Sequence, residues 1–275
     1  MGWRRRQNNG FGVRVVLNGM RLSSWLGLAY LALASLPSLA QEDAAGDEFA
    51  QLRGVVRNLM DDNAAFVKSH KPDYFKPFQE KQQPRATVVT CADSRVHMQA
   101  FDKTPDGDLF VVRNIGNQIA TSEGSVEYGV RQLHTPLLIV IGHSACGAIK
   151  AAYSKDADNS PAIKRELATI KLPPKNPKQD AEEQWLTGVQ TNVNLQVTFA
   201  LNKFDAEVSA GKLTIIGAIY DFQNALKQGQ GRLVITNING KTDAGSIMAA
   251  LMNFSGASLK LDKQPAKASF TKKSD

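Results

Sequence analysis

An α/β domain on a mostly parallel four- to five-stranded sheet, with flanking helices and an N-terminal helical arm, is what this sequence predicts. Three observations carry that expectation. Short apolar runs rich in β-branched residues recur at 87–90, 137–142 and 213–218, bounded by polar or turn residues, as in strands buried on both faces. The segments between them are long enough for the crossovers that parallel pairing requires. Most of those segments carry helical spacing, as over 182–204 with Trp185, Val189, Val193, Val197 and Leu201.

The first forty residues read as a targeting segment. Arg4, Arg5, Arg6, Arg14 and Arg21 form a basic lead with no acid among them. An apolar run over 25–36 follows, then Ser38-Leu39-Ala40 as a small-residue cleavage site. The run is too short for a transmembrane helix, so no stable membrane anchor is expected once the signal peptide, 1–40, is removed. Either Met1 or Met20 serves as the start. The expected destination is the periplasm or the medium. The chain carries 33 basic and 26 acidic residues, and losing five arginines and no acid turns +7 into +2. The basic balance belongs to the signal, and nucleic acid is not expected as a partner.

A single α/β domain is expected over 41–254. Over 42–70, Phe49, Leu52, Val55, Val56, Leu59 and Met60 fall on one helical face. A loop rich in Lys, Pro and Gln occupies 71–84. Strands are expected at 87–90, 108–113, 137–142, 213–218 and 233–238, the last at the sheet edge behind Gly229 and Gly231. Helices are expected over 124–133, from 147 onward, within 156–180, over 182–204 and over 244–254. The Lys-, Ser- and Ala-rich end, 255–275, reads as a disordered tail.

Two motifs carry the chemistry. Cys91-Ala92-Asp93-Ser94-Arg95 follows the first strand and His143-Ser144-Ala145-Cys146-Gly147 the third. Both therefore sit at carboxyl ends of strands, the edge where open α/β sheets bind ligands. Zinc takes thiolate sulfur and imidazole nitrogen in a tetrahedron, and a catalytic site keeps one position open. Cys91, His143 and Cys146 supply three ligands, leaving the fourth to water or, in a closed state, to Asp93. His-x-x-Cys brings two ligands to one ion, and Cys91 and Asp93, two apart in an extended segment, face the same way. The competing reading is a structural disulfide between Cys91 and Cys146, the two cysteines of the chain, in a non-catalytic exported protein. His143 and Asp93 at motif spacing favour the metal. His70, His97 and His134 have no ligand-like neighbours in sequence.

These motifs closely resemble those of the β-class carbonic anhydrases, which carry Cys-x-Asp-Ser-Arg and Gly-His-Ser-x-Cys-Gly on successive strands. The resemblance extends over about 82–240. It takes in Phe110-Val111-Val112-Arg113-Asn114-Ile115, Ser125-Val126-Glu127-Tyr128 and Gly217-Ala218-Ile219-Tyr220-Asp221. Gln82, Phe110, Ile115 and Tyr128 match the pocket positions of the plant-like branch, with Ile115 where Val is usual. The resemblance implies a zinc enzyme that hydrates carbon dioxide to bicarbonate. In it, Asp93 and Arg95 pair to steady the water and keep the carboxylate off the metal. It also implies a homodimer or dimer of dimers, with Gln82 and Tyr128 serving the neighbour's site. Hydrolysis of carbon disulfide or carbonyl sulfide on the same scaffold is the alternative enzyme reading.

A site with three imidazole ligands titrates its water near ~7. Two thiolates formally neutralise the ion, so water there is expected to be less acidified. Hydration activity is accordingly expected to rise with pH and to level off only above ~8. A pH–rate profile already flat from ~6 upward would refute this charge argument.

Overall fold

The computed structural model describes residues 39–154 and 158–261, with side chains described over 48–154 and 158–254. Most of the expected signal, 1–38, and the last part of the expected tail, 262–275, lie outside the described residues. The chain divides into two units, Met1–Ser69 and His70–Asp275. The described part of the first is one helix, α1 (Leu39–Ser69). Its apolar stripe lies open: Phe49 is 61% and Leu59 65% exposed, with Leu52 and Val56 also exposed.

The second unit is built on the expected sheet. Its strands are β1 (Ala86–Cys91), β2 (Leu109–Asn114), β3 (Leu137–His143), β4 (Thr214–Asp221) and β5 (Arg232–Ile238), in the order β2-β1-β3-β4-β5. The first four run parallel, and β5 closes the edge antiparallel to β4. Neighbouring residues of β1 point to opposite faces. Val89 packs with Val112, Leu138, Val140 and Val197 on one side, and Val88 with Val96, Ile141 and Tyr220 on the other. Each such fully buried aliphatic side chain contributes roughly 1.5–3 kcal/mol.

Besides the short helical segments Pro72–Phe75 and Asp205–Ser209, the helices of this unit are α2 (Glu123–Glu127), α3 (Gly147–Ser154), α4 (Pro161–Leu167), α5 (Ala181–Lys203) and α6 (Ala244–Leu261). The helix expected over 124–133 is less regular than its spacing suggests. It enters through a 3₁₀ turn, Ala120–Ser122, and leaves through a π turn, Tyr128–Gln132, closed by Leu133 N–H donating to the Tyr128 carbonyl at 3.0 Å. Gly129, within the π turn, makes a close approach to β1. A Cβ there would overlap the Thr87 side chain, and Thr135 Oγ1 donates to the Gly129 carbonyl at 3.1 Å.

The boundary between helix and tail at 254 is corrected as well. No proline falls between Ala244 and Pro265, and α6 runs on to Leu261. The loop expected over 71–84 contains two short turns, Pro72–Phe75 and Lys76–Phe78, each with a proline at a helix start, where its missing N–H costs nothing.

The start of α5 is set by a capping box. Asp180 accepts from Glu182 and Glu183 N–H, and Glu183 returns the bond to Asp180 N–H. Its apolar stripe then rests on two strand glycines. A Cβ on Gly142 or Gly217 would lie 2.6 or 2.8 Å from the Val193 methyls, so glycine there lets α5 sit close to the sheet. The polar stripe beside it ties down the loop after β2. Asn192 donates to the Gly116 carbonyl and Gln196 accepts from Ile119 N–H, both at 2.8 Å.

Candidate metal centre

Parallel pairing of β1 with β3 brings the two motifs together. Thr90 is in register with Ile141, so Cys91, the last residue of β1, meets the end of β3, where His143 is last. A turn then returns Cys146 just before α3. One ligand atom from each of Cys91, His143 and Cys146 lies within 4.8 Å of the others, and all three residues are buried. Both cysteines are free thiols, so the structure does not hold the disulfide that the cysteine count alone suggested.

The electrostatics of this cluster fit a bound cation. His143 Nδ1 lies 2.9 Å from the Ser144 carbonyl, which only accepts, so Nδ1 carries a proton. The neutral ring then offers a bare lone pair at Nε2, and that atom is buried with no hydrogen-bond partner. It also stands 3.8 Å from Asp93 Oδ2. An unsatisfied buried acceptor costs roughly 1–3 kcal/mol, a cost that a cation among these donors removes. Contact with Cys146 and with the Gly116 N–H lowers the pKa of the Cys91 thiol against the cost of burial, and the same contact and burial push Cys146 upward.

Asp93 is held beside the cluster by Arg95. Oδ1 accepts from the Arg95 N–H at 3.0 Å and from Nε at 2.9 Å, while Oδ2 accepts from Nη2 at 2.6 Å. This charge-assisted fork, a geometry Lys could not reproduce, keeps the Asp93 carboxyl below the usual carboxylate range. The guanidinium itself is anchored twice more. Nη2 donates to the Ala145 carbonyl at 3.1 Å, and its carbon lies 4.8 Å from the centre of the Phe222 ring. Phe222 also stacks on His143 at 5.7 Å.

Three contributors went unrecognised at the level of sequence. Arg113 of β2 pins the loop that carries Asp93, donating to the carbonyls of Cys91 at 3.1 Å, Asp93 at 2.7 Å and Val96 at 2.9 Å. A cation near the end of an otherwise apolar strand was the signal for it. Trp185 and Phe222 are the others. Trp185 read as helix core, and Phe222 directly follows the late motif that ends at Asp221.

The carbonic anhydrase family profile matches residues 86–227, more than half of the chain. The chain belongs to the carbonic anhydrase family, in its β class. The carbonic anhydrase of Synechococcus elongatus is 36% identical over 106 residues, which cover 36% of this chain and 39% of that one. β carbonic anhydrase 3 of Arabidopsis thaliana is 32% identical over 171 residues, covering 55% and 66%. The matched part is thus well under half of the Synechococcus protein and about two thirds of the Arabidopsis one. One of two tetrameric β-carbonic anhydrases from Sordaria macrospora shares the fold, with TM-score 0.56 and 24% identity over 66% of this chain and 96% of that one.

Against that family pattern the four expected pocket residues separate. Ile115 packs against the cluster that contains Cys91 and Cys146. The other three lie toward the amino ends of the strands. Phe110 is in register with Thr87, and Asn114 with Cys91, so Phe110 sits four residues, about 13 Å, back along the sheet from the ligand. The Tyr128 ring is centred 5.9 Å from that of Phe110 and is 47% exposed. Gln82 is exposed in the segment before β1. Within one chain, then, Phe110 is set back from the metal centre with Tyr128 beside it and Gln82 exposed, and the sequence had assigned only Gln82 and Tyr128 to the neighbour's site. The remaining histidines stay outside as well. His97 is edge-on to Tyr220 at 6.4 Å, His70 lies among Tyr74 and Phe75, and His134 is exposed.

Proposed function

We propose that this chain is a zinc-dependent carbonic anhydrase, a lyase that interconverts carbon dioxide and bicarbonate with release of a proton. The observation that carries this reading is the buried Cys91–His143–Cys146 set with an orphan Nε2, beside a carboxylate that Arg95 holds back. Two sulfurs and one imidazole nitrogen suit zinc, with a fourth position open. Bound there, zinc supplies Lewis acidity that generates a nucleophile from water.

The chain's own residues do the rest. Asp93, ionised under Arg95, presents Oδ2 as an acceptor that orients the proton of an incoming water. The Ser144 carbonyl fixes the His143 tautomer. Ile115 walls the pocket with apolar surface that suits a small linear substrate. Stopped-flow carbon dioxide hydration, with zinc counted per chain on the same sample, tests the reading. Zinc-loaded protein that fails to hydrate carbon dioxide would overturn it, and turnover of carbonyl sulfide or carbon disulfide in its place would assign the other substrate class.

The working unit is a homodimer or dimer of dimers in which Gln82, Phe110 and Tyr128 serve the neighbour's zinc. Their distance from their own ligands supports this, as does the exposure of Tyr128 and of the apolar stripe on α1. A Tyr128→Ala chain mixed with a Cys146→Ser chain, under conditions of subunit exchange, is expected to recover activity. Each mixed dimer would hold one complete site. Exchange without recovery would place Tyr128 in its own chain's pocket.

The protein is exported, to the periplasm or the medium. The basic lead and apolar run over 1–40 support this. N-terminal sequencing of the extracytoplasmic fraction is expected to read from near Gln41. A cytoplasmic protein that retains Arg4 would refute export.

A further inference from the structure

We propose that Trp185 is a positioning residue for the metal ligand Cys146, an assignment that rests on the zinc reading of the site. Cys146 stands on a tight turn whose own backbone support at its carbonyl is the Lys150 N–H at 3.2 Å. Ala145, just before it, has φ +53, the left-handed region that a Cβ disfavours. Gly147, just after it, has no side chain, and nothing lies within 4 Å of the place a Cβ would take.

Two side chains from distant elements compensate. Arg95 Nη2 donates to the Ala145 carbonyl at 3.1 Å, and Trp185 Nε1 donates to the Cys146 carbonyl at 2.7 Å. These carbonyls belong to the peptide planes on either side of the Cys146 Cα. Fixing both planes fixes the two backbone dihedrals of Cys146, and with them the direction of its sulfur toward Cys91 and His143.

The indole is a firm anchor for this purpose. It projects from the second turn of α5, whose start is locked by the Asp180–Glu183 capping box. Its ring packs against the cluster of Cys91, Cys146, Ile149 and Val189. The Lys150 ammonium lies 5.4 Å from the ring centre, and Lys150 N–H donates to the same Cys146 carbonyl at 3.2 Å. Partners that orient a metal ligand in this way are typically worth about 10–100-fold in metal affinity.

The test uses the full-length chain with Trp185 replaced by 3-benzothienylalanine, which keeps the bicyclic ring and exchanges only the N–H for sulfur. Zinc affinity would be read by competition with a chelator, and the thiolate-to-metal absorption of the cobalt form would report ligand geometry. The expected result is zinc binding weakened about tenfold or more, a shifted cobalt spectrum, and an unchanged unfolding midpoint for the metal-free protein. Trp185→Leu, which loses ring and donor together, is expected to lower that midpoint too. Wild-type zinc affinity and cobalt spectrum in the isostere would overturn the assignment, as would loss of affinity matched by an equal loss of metal-free stability. Wild-type protein that binds no zinc would instead remove the reading on which the assignment rests.

Discussion

Cys146→Ser is expected to leave the chain without zinc and without measurable carbon dioxide hydration. The side chain is 1% exposed, and its sulfur is one of three ligand atoms confined within 4.8 Å. A neutral hydroxyl is a poor replacement for a thiolate donor. The loss should exceed the roughly 10–100-fold that a partner outside the ligand set is worth. It also removes the contact that is the first cause of the lowered Cys91 value. His143→Ala is expected to behave in the same way, because it removes the only imidazole in the cluster. Zinc per chain and turnover, measured on each variant, check both. Full zinc occupancy in either would show that the ligand assignment is wrong.

Arg95→Ala is expected to keep zinc near one per chain and to lose activity by about 100-fold or more, the scale on which displaced catalytic groups act. The fork from Arg95 is the largest cause of the depressed Asp93 value, and it fixes both carboxylate oxygens. Without it the carboxylate is free to turn. Oδ2 already stands 3.8 Å from His143 Nε2, and carboxylate oxygen is a good zinc donor at ~2.0–2.2 Å. Asp93 would then occupy the fourth position and exclude water. Arg95→Lys restores charge without the fork or the flat contact on Phe222, so recovery should be partial. Near-normal turnover in Arg95→Ala would sink the pairing role. Loss of zinc would instead make the bond from Arg95 to the Ala145 carbonyl the more important of its contacts.

Sequence by itself determined the parts of this protein that depend on near neighbours. Strands appeared as β-branched runs because both faces of a parallel sheet are buried, and α5 appeared through its i, i+4 stripe of Trp185, Val189, Val193, Val197 and Leu201. The ligand set was legible for the same reason. Cys91 and His143 end strands, His143 and Cys146 are three apart, and Asp93 and Arg95 are neighbours on one loop.

The tertiary structure alone decided what depends on pairing across the chain. Only the β1–β3 register sets Cys91 against His143. The β1–β2 register places Phe110, and the Tyr128 ring beside it, toward the other end of the strands. Trp185 lies 39 residues from the carbonyl it holds, and Phe222 belongs to a strand end brought beside Arg95 by the β3–β4 pairing. Neither carries a motif, because one hydrogen bond or one ring contact constrains a single residue and leaves no periodic trace. The π turn at Tyr128 contains Gly129, which meets Thr87 of β1, a contact from a distant strand that the helical spacing over 124–133 does not show.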